Sequence, residues 1–249
     1  MLNRGVATKL GLNNLINRFF SKKEREKRKK ETYDRKIRQK VVKRNKQKVF
    51  VIGFNKTGTT SIEHALKELG YILGDQGTAE LLLEDVTNNT FDRLFDYIET
   101  AEAFQDIPFS LPHVFKILHG NYPDAHFILS MRDTPEQWYK SISSFHSEVF
   151  ANGKIPTKEI LMEKVYHYKG YPMQYVDYTF GGVIYKEGHY KKVYLQHLEE
   201  VTRYFSNNGG NLCTVNVSNP NDYKKMCVFL GLPPKRDSFQ WKNKTDNRK

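Results

Sequence analysis

The sequence predicts an α/β fold of three layers, in which a mostly parallel central sheet carries helices on both faces. Three observations support this prediction. Short apolar runs that fit buried strands alternate with segments of helical periodicity. A glycine-bounded loop lies between the first such strand and the first such helix. The chain of 249 residues also has room for one domain of this class plus an appendage.

The first strand, loop and helix occupy residues 48–70. Val49 to Ile52 is an apolar run, a tight loop follows between Gly53 and Gly58, and the next apolar positions have helical spacing up to Gly70. The N–H groups of such a loop and of the helix N-terminus point at one spot and favour an anion there. This stretch therefore predicts a P-loop-like phosphate site.

The loop departs from a Walker A motif at one informative position. Gly53 and Gly58 are separated by four residues, as in that motif, but Thr59 stands where the motif has lysine. The lysine of this chain, Lys56, lies inside the loop. Because a nucleoside triphosphatase needs its lysine on the β- and γ-phosphates, the loop indicates a 5′-phosphate cradle with a lysine beside it.

The later elements follow the same alternation. Further strands are expected near residues 71–74, 101–104, 126–131 and 212–217. Helices are expected over 77–99 in two pieces, 110–121, from Pro135 onward, 157–168, 188–207 and 220–230. The less regular residues 150–186 are interpreted as an insertion over the site. Ligands bind beyond the carboxyl ends of parallel strands, so three segments are expected to meet: 53–61, 105–108 and 132–135.

The positive charge is concentrated at the N-terminus. The chain has a formal net charge of +12, whereas residues 1–48 alone contain 18 Lys and Arg against 4 Asp and Glu. The remainder is therefore slightly acidic, and no specific nucleic-acid partner is expected. We expect residues 1–47 to be a basic, partly helical extension and residues 48–249 to be the α/β domain.

Two interpretations of the extension remain open: a solvated arm, or a peripheral anchor that binds an anionic membrane surface through residues 1–48. The second is suggested by a weak amphipathic pattern in residues 1–20. No apolar run approaches the roughly 18 residues of a membrane span, and no signal-peptide core is evident. Cys213 and Cys227 lack ligand-pair spacing, which fits a reducing compartment. The expected location is cytoplasmic, with the membrane periphery as the option.

Several separated motifs resemble, in order, those of sulfotransferases that use 3′-phosphoadenosine 5′-phosphosulfate (PAPS). Residues 54–61 resemble the 5′-phosphosulfate loop of that family, and residues 104–109 resemble the D-x-P segment of a bacterial-type branch. Residues 122–133 are similar to the strand that leads into the 3′-phosphate site. Residues 138–141 and the stretch 229–233 resemble later family motifs. The resemblance covers roughly residues 48–245 and excludes the arm.

The resemblance implies that PAPS is the sulfuryl donor, that no metal is required, and that a small molecule or glycan accepts the group on a hydroxyl or amine. Arg132, at a strand end, would bind the 3′-phosphate through its forked guanidinium. The family usually spaces this arginine and a serine by eight residues. Here the spacing to Ser141 is nine, so Ser143 and Ser144 are alternatives. The implied cofactor-binding residues are Asn55, Lys56, Thr57, Gly58, Thr59, Thr60, Ser61, Arg132 and Ser141.

The implied catalytic residues are Lys56, which would contact the leaving phosphate, and Asp106, which would be the base for the acceptor. Other roles remain open for Asp106, namely a helix cap or an ion-pair partner of Arg132. His113 and His146 are alternative bases. Residues 75–100 and 145–190 are expected to shape the acceptor pocket.

Trp138 and Tyr139 either stack near adenine or pack in the core. Phe239 and Asn243 resemble a C-terminal family stretch that closes over the nucleotide; a loosely packed tail is the alternative.

Two other functions are compatible with part of this pattern. A P-loop small-molecule kinase would need ATP and magnesium. Asp133 follows an apolar strand directly, which is the position of the magnesium-binding acid in such a kinase. The missing lysine after Gly58 counts against that function. A non-catalytic nucleotide-binding scaffold with a membrane-binding arm is the other alternative, and the intact loop with Asp106 and Arg132 counts against it.

Overall fold

The computed structural model describes residues 22–240. It divides into two compact units, of which the first ends at Asn45 and the second begins at Lys46. In the first unit, helix α1 spans Lys22–Arg44, and basic residues stand in its last turn. The amphipathic pattern expected in residues 1–20 and the Asn243 part of the C-terminal motif lie outside the described residues.

A four-stranded parallel sheet forms the centre of the second unit. Its strands are β1 (Val49–Val51), β2 (Ala103–Phe104), β3 (His126–Met131) and β4 (Asn211–Asn216), in the order β2-β1-β3-β4. The longest pairing joins β3 to β4 over six residues. The expected strand at residues 71–74 is reduced to an isolated bridge between Leu73 and Ala103. The prediction of a mostly parallel sheet is confirmed.

The helices of the second unit follow the predicted alternation, with differences in extent. The expected pair over 77–99 is three short helices, the helix expected from residue 110 begins at Val114, and the insertion contains a helix that periodicity did not predict, α9. The helices are α2 (Thr59–Glu68), α3 (Gln76–Glu80), α4 (Leu83–Thr87), α5 (Asp92–Ile98), α6 (Val114–Asn121), α7 (Pro135–Ala151), α8 (Lys158–Glu163), α9 (Tyr171–Phe180), α10 (Glu187–Asn208) and α11 (Asp222–Phe229).

The sheet is covered on both faces, as the predicted three-layer architecture requires. Alternate residues of the first strand point to opposite sides: Phe50 and Ile52 belong to one apolar cluster, and Val49 and Val51 to the other. The first cluster collects buried residues from α3 to α10, while the second is covered by α2 and α11. No helix within residues 22–240 is both long and apolar enough to cross a bilayer.

Gly53 is required where β1 runs into the phosphate loop. A Cβ there would lie 2.1 Å from the carbonyl oxygen of Ser130, which belongs to the neighbouring strand β3. We expect Gly53→Ala to destabilise the domain by about 3 kcal/mol, because the backbone of Ser130 in a central strand cannot shift to make room for the added methyl group. Gly120→Ala is the matched control, because nothing lies within 4 Å of a Cβ at that helical position. Urea unfolding midpoints measure both, and equal midpoints would contradict the packing described.

Candidate active site

A cavity of about 180 Å³ opens beyond the carboxyl ends of β1, β2 and β3. One side is built from the loop after β1, from Asp106 after β2 and from Arg132 after β3. The other side comes from α7, from α9 and from the segment between α8 and α9. The three strand ends expected to meet do so here. The lining residues are Asn55, Lys56, Gly58, Thr59, Thr60, Glu80, Asp106, Ile107, Arg132, Phe145, His146, Phe150, Tyr166, Tyr171, Pro172 and Tyr175.

The loop presents backbone N–H groups to the cavity. Gly58 caps α2 with a left-handed φ of 99°, and no side chain caps this helix end. A Cβ on Gly58 would lie 2.5 Å from a methyl of Val217, so glycine is needed for space as well as for conformation. Within the described chain, the N–H groups of Gly58, Thr59 and Thr60 have no hydrogen-bond partner. Three donors at a helix N-terminus make a site for an anion.

Two residues of the predicted phosphate loop, Thr57 and Ser61, do not line the cavity. Thr57 is fully buried, its hydroxyl bonds the carbonyl of Phe54 at 2.6 Å and the Ser130 hydroxyl at 2.5 Å, and its N–H closes a turn to Phe54. Ser61 is buried, and its N–H donates to the Gly58 carbonyl. Both therefore hold the loop in shape, and the cavity wall includes neither. The sequence alone could not show which way the Thr57 hydroxyl turns.

Arg132 is anchored beside the loop. Its Nε donates to the carbonyl oxygen of Lys56 at 2.6 Å, and its own N–H donates to the hydroxyl of Tyr194. Burial lowers the pKa of the guanidinium, which nevertheless stays charged because arginine starts so high. Its two terminal nitrogens make no hydrogen bond with the described residues, so they can bind one anion together in a bidentate manner.

Lys56 is held in an uncommon conformation, with a φ of 70°. This turn aims the carbonyl of Lys56 at Arg132, while its ammonium lies 4.0 Å from the ring centroid of Phe145. The ammonium is close enough to Asp106 and His146 to lower the pKa of both. Lys56 therefore places a cation inside the cavity, in contact with the aromatic ring of Phe145 on α7.

Asp106 faces the start of α2. Its carboxylate accepts the N–H of Ile107 at 2.9 Å and lies 3.4 Å from the hydroxyl of Thr59. Burial, and after it the charge of Glu80, raises the pKa of Asp106 to about 6, against the opposing effects of that N–H, Lys56 and Thr59. A carboxylate with this pKa is ionised at neutral pH yet basic enough to accept a proton.

The alternative roles considered for Asp106 are not seen. The helix that it was expected to cap begins at Val114, eight residues further on, and its carboxylate bonds elsewhere. The side-chain hydrogen bond of Arg132 within residues 22–240 goes to a carbonyl, not to Asp106.

The two alternative bases lie in different surroundings. His113 is exposed and bonds Glu200 at 2.9 Å in another groove, away from the cavity. His146 does line the cavity, but its Nδ1 faces the Tyr185 hydroxyl at 2.9 Å. Burial, with a smaller effect of Lys56, lowers the pKa of His146 to about 3. A neutral imidazole of this kind is a weak base.

Of the residues in the expected 3′-phosphate motif, those that follow Arg132 on α7 do not line the cavity. Ser141 lies on α7 one turn before Phe145 but does not reach the cavity wall. The Ser143 hydroxyl bonds the carbonyl of Tyr139 in its own helix. Trp138 is fully buried and stacks on Tyr194 at 4.5 Å. Its indole N–H donates to the carbonyl of Asn55, so core packing is its role.

Asp133, the residue that imitates a magnesium-binding acid, turns away from the cavity. Its carboxylate accepts hydrogen bonds of 2.7 Å from both Asn216 and Ser218 at the end of β4. These donors lower the pKa of Asp133. The acid therefore joins two strand ends, and this geometry is unlike that of a magnesium ligand beside the loop.

Sequence reasoning did not single out seven of the lining residues, although it expected their segments to shape the pocket: Glu80, Phe145, Phe150, Tyr166, Tyr171, Pro172 and Tyr175. Glu80 ends α3 and bonds His167 at 2.5 Å. Tyr171 and Tyr175 line the cavity from α9, and Tyr166 lines it from the segment before that helix. The density of tyrosine in residues 166–178 was the available signal, but spacing alone did not indicate which rings face inward.

The comparison with known proteins places this geometry in a family. Residues 48–248 match a family model described as a sulfotransferase domain. No curated protein shows a significant match to the chain. The matched range contains every residue that lines the cavity and spans most of the chain. The resemblance to sulfotransferases is thereby confirmed, and the chain belongs to the sulfotransferase family.

Proposed function

We propose that the protein transfers a sulfuryl group from PAPS to a hydroxyl acceptor in this cavity. The observation that carries the proposal is that two groups of hydrogen-bond donors, the loop N–H groups and the Arg132 guanidinium, lie on neighbouring strand ends, where each can bind an anion. The N–H groups of residues 58–60 with Lys56 suit a 5′-phosphosulfate, and the guanidinium of Arg132 suits a 3′-phosphate. A donor with two anionic groups needs two such elements.

The proposed reaction is an in-line displacement at sulfur. Asp106 accepts the proton of the acceptor hydroxyl while the acceptor oxygen forms its bond to sulfur. The bond between sulfur and the bridging oxygen of the 5′-phosphate breaks, and that phosphate leaves with the electron pair. Lys56 and the loop N–H groups stabilise its charge, so the proposal assigns no metal. The 3.4 Å from Asp106 to Thr59 puts base and phosphate cradle next to each other.

The catalytic machinery is proposed to lie wholly within residues 48–249, with residues 1–47 as an accessory basic extension. Every lining residue falls between Asn55 and Tyr175, which supports this division. The kinase alternative receives less support, because Thr59 occupies the Walker lysine position and Asp133 is engaged by Asn216 and Ser218.

Nucleotide binding separates the two functions. At a hundredfold excess over Kd, 3′-phosphoadenosine 5′-phosphate should raise the melting temperature by about 5 to 10 °C. ATP with magnesium should give a much smaller shift, since a triphosphate offers nothing to the 3′-phosphate element. Thermal shift measurements with both nucleotides, and with 5′-AMP as a further control, distinguish a sulfotransferase from a kinase. A larger shift with ATP and magnesium than with the bisphosphate would refute the proposal.

A further inference from the structure

A network of side-chain hydrogen bonds joins α3 to the segment that carries Asp106. Gln76, the first residue of α3, donates from its amide to the carbonyl oxygen of Ile107 at 3.0 Å. Its amide oxygen accepts a hydrogen bond of 3.1 Å from the side chain of Gln105. Gln76 therefore bonds the residues on both sides of Asp106, which has a left-handed φ of 61°. Because this conformation is uncommon for residues other than glycine, the two bonds help to hold Asp106 in it.

Glu80, the last residue of α3, extends this network to the cavity wall. One carboxylate oxygen accepts from the amide of Gln76 at 3.3 Å, and the other lies 2.5 Å from Nε2 of His167. His167 belongs to the segment between α8 and α9. The side chain of Glu80 is thus held from two parts of the chain, and it lines the same cavity as Asp106.

Two acids therefore share this cavity. Burial, and after it the charge of Glu80, raises the pKa of Asp106 to about 6. Burial also raises the pKa values of Tyr166 and Tyr171, and the charges of both acids raise them further. Carboxylates that share a cavity repel each other, and a proton on one of them removes the repulsion. Glu80 thereby favours the protonated form of Asp106, which is the form that base catalysis produces.

The other titratable groups around these two acids come from several parts of the site: Lys56 from the loop, Arg132 after β3, His146 from α7, Tyr166 and His167 from the segment before α9, and Tyr171 and Tyr175 from α9. Lys56 opposes Glu80, because its charge lowers the pKa of Asp106. Burial lowers the pKa of His146 to about 3 and raises those of the three tyrosines, so these four groups are neutral near pH 6. Within the described lining, Glu80 is the one acid besides Asp106.

We propose that Glu80 is a positioning residue for Asp106: through Gln76 it holds the segment that carries the base, and its negative charge favours proton transfer to Asp106. Glu80 itself takes no proton from the acceptor. When Asp106 takes that proton, the repulsion between the two carboxylates disappears, and Glu80 thus assists the step. This inference rests on the proposed sulfuryl transfer and assigns a further residue of the same site.

Glu80→Gln tests the proposal, because it removes the charge and keeps the shape of the side chain. The new amide oxygen can accept from Gln76, and the new amide nitrogen can donate to His167 in the tautomer with an unprotonated Nε2. Glu84→Gln is the matched control. Glu84 is an exposed acid of α4 outside the cavity lining, so the same loss of charge there should have no effect on Asp106.

Carbon-13 NMR of the Asp106 carboxyl, assigned through Asp106→Asn, follows the titration without any acceptor. The midpoint should fall from about 6 in the parent to about 5 in Glu80→Gln. With PAPS and any acceptor that the parent sulfates, the rising limb of kcat against pH should move down by the same amount. The plateau of kcat should fall about threefold, because a weaker base takes the proton less readily.

The contrary outcomes separate this inference from the reaction. An unchanged Asp106 midpoint in Glu80→Gln, or an equal change in Glu84→Gln, would overturn the role of Glu80 while sulfuryl transfer stands. A loss of kcat at every pH with an unmoved limb would show that Glu80 supports only the fold, and would overturn the role as well. If no acceptor receives the sulfuryl group and the bisphosphate does not stabilise the protein, the proposed function fails, and the role of Glu80 in it fails too.

Discussion

Replacement of Arg132 by alanine is expected to abolish the preference for 3′-phosphoadenosine 5′-phosphate over 5′-AMP. The guanidinium is fixed by its 2.6 Å bond to the Lys56 carbonyl, which leaves its two terminal nitrogens for the 3′-phosphate. Loss of a charge-assisted pair of this kind costs roughly 2 kcal/mol or more, a factor of about thirty in Kd. Binding of 5′-AMP should change much less. Isothermal titration calorimetry with both nucleotides measures the ratio.

The matched control for this experiment is Arg203→Ala. Arg203 is an exposed arginine of α10 with Glu199 one turn away, outside the cavity lining. Its loss should leave both affinities unaltered. If Arg132→Ala binds the bisphosphate and 5′-AMP with the original ratio, the 3′-phosphate is held by other residues and the role given to Arg132 is wrong.

The second large effect is expected for Asp106→Asn. An amide cannot take the acceptor proton, so kcat should fall by about two to four orders of magnitude. Affinity for 3′-phosphoadenosine 5′-phosphate should be retained, because a carboxylate does not attract the phosphates of the nucleotide and its loss removes no favourable contact with them. For the unaltered protein, kcat should rise with pH through about 6 and then level off, since only ionised Asp106 is a base. Near-normal turnover in the variant would discard Asp106 as the base.

Asp106→Asn should also stabilise the protein, which separates a catalytic role from a structural one. The pKa of Asp106 is about 6 when folded and 3.8 as the ordinary value, so ionisation is harder in the folded state. The ionisation of Asp106 therefore lowers the free energy of unfolding. This loss grows as the pH rises from 3.8 to 6 and is complete above 6, where it reaches up to about 3 kcal/mol. The variant avoids it while its side-chain oxygen still accepts the Ile107 N–H. Its melting temperature should therefore exceed that of the parent at pH 8 but not at pH 4.

Local signals in the sequence were sufficient to predict which three strand ends form this site. The glycines at 53 and 58 and the apolar runs ending at Phe104 and Met131 are features of single segments, and they located three strand ends correctly. A parallel sheet then brings those ends to one edge whatever the rest of the chain does. The positions of Asp106 and Arg132 at the cavity follow from this rule.

What the sequence could not provide depends on contacts between distant segments. Glu80 reaches the cavity because α3 packs near the segment that carries His167, 87 residues later. Tyr171 turns inward through the placement of α9, a helix that periodicity did not predict. The direction of the Thr57 hydroxyl depends on Ser130 in another strand. None of these contacts corresponds to a periodic pattern or to a fixed residue spacing in the sequence.

Transfer of radiolabelled sulfuryl from PAPS tests the central claim most directly. With a panel of alcohols, phenols, amines and sugars as acceptors and Asp106→Asn as the negative control, label should appear in at least one acceptor in equal amount to the 3′-phosphoadenosine 5′-phosphate formed. Transfer should proceed with a chelator present. The account would be contradicted if the active protein moved no label to any alcohol, phenol, amine or sugar, while it phosphorylated one of them from ATP and magnesium.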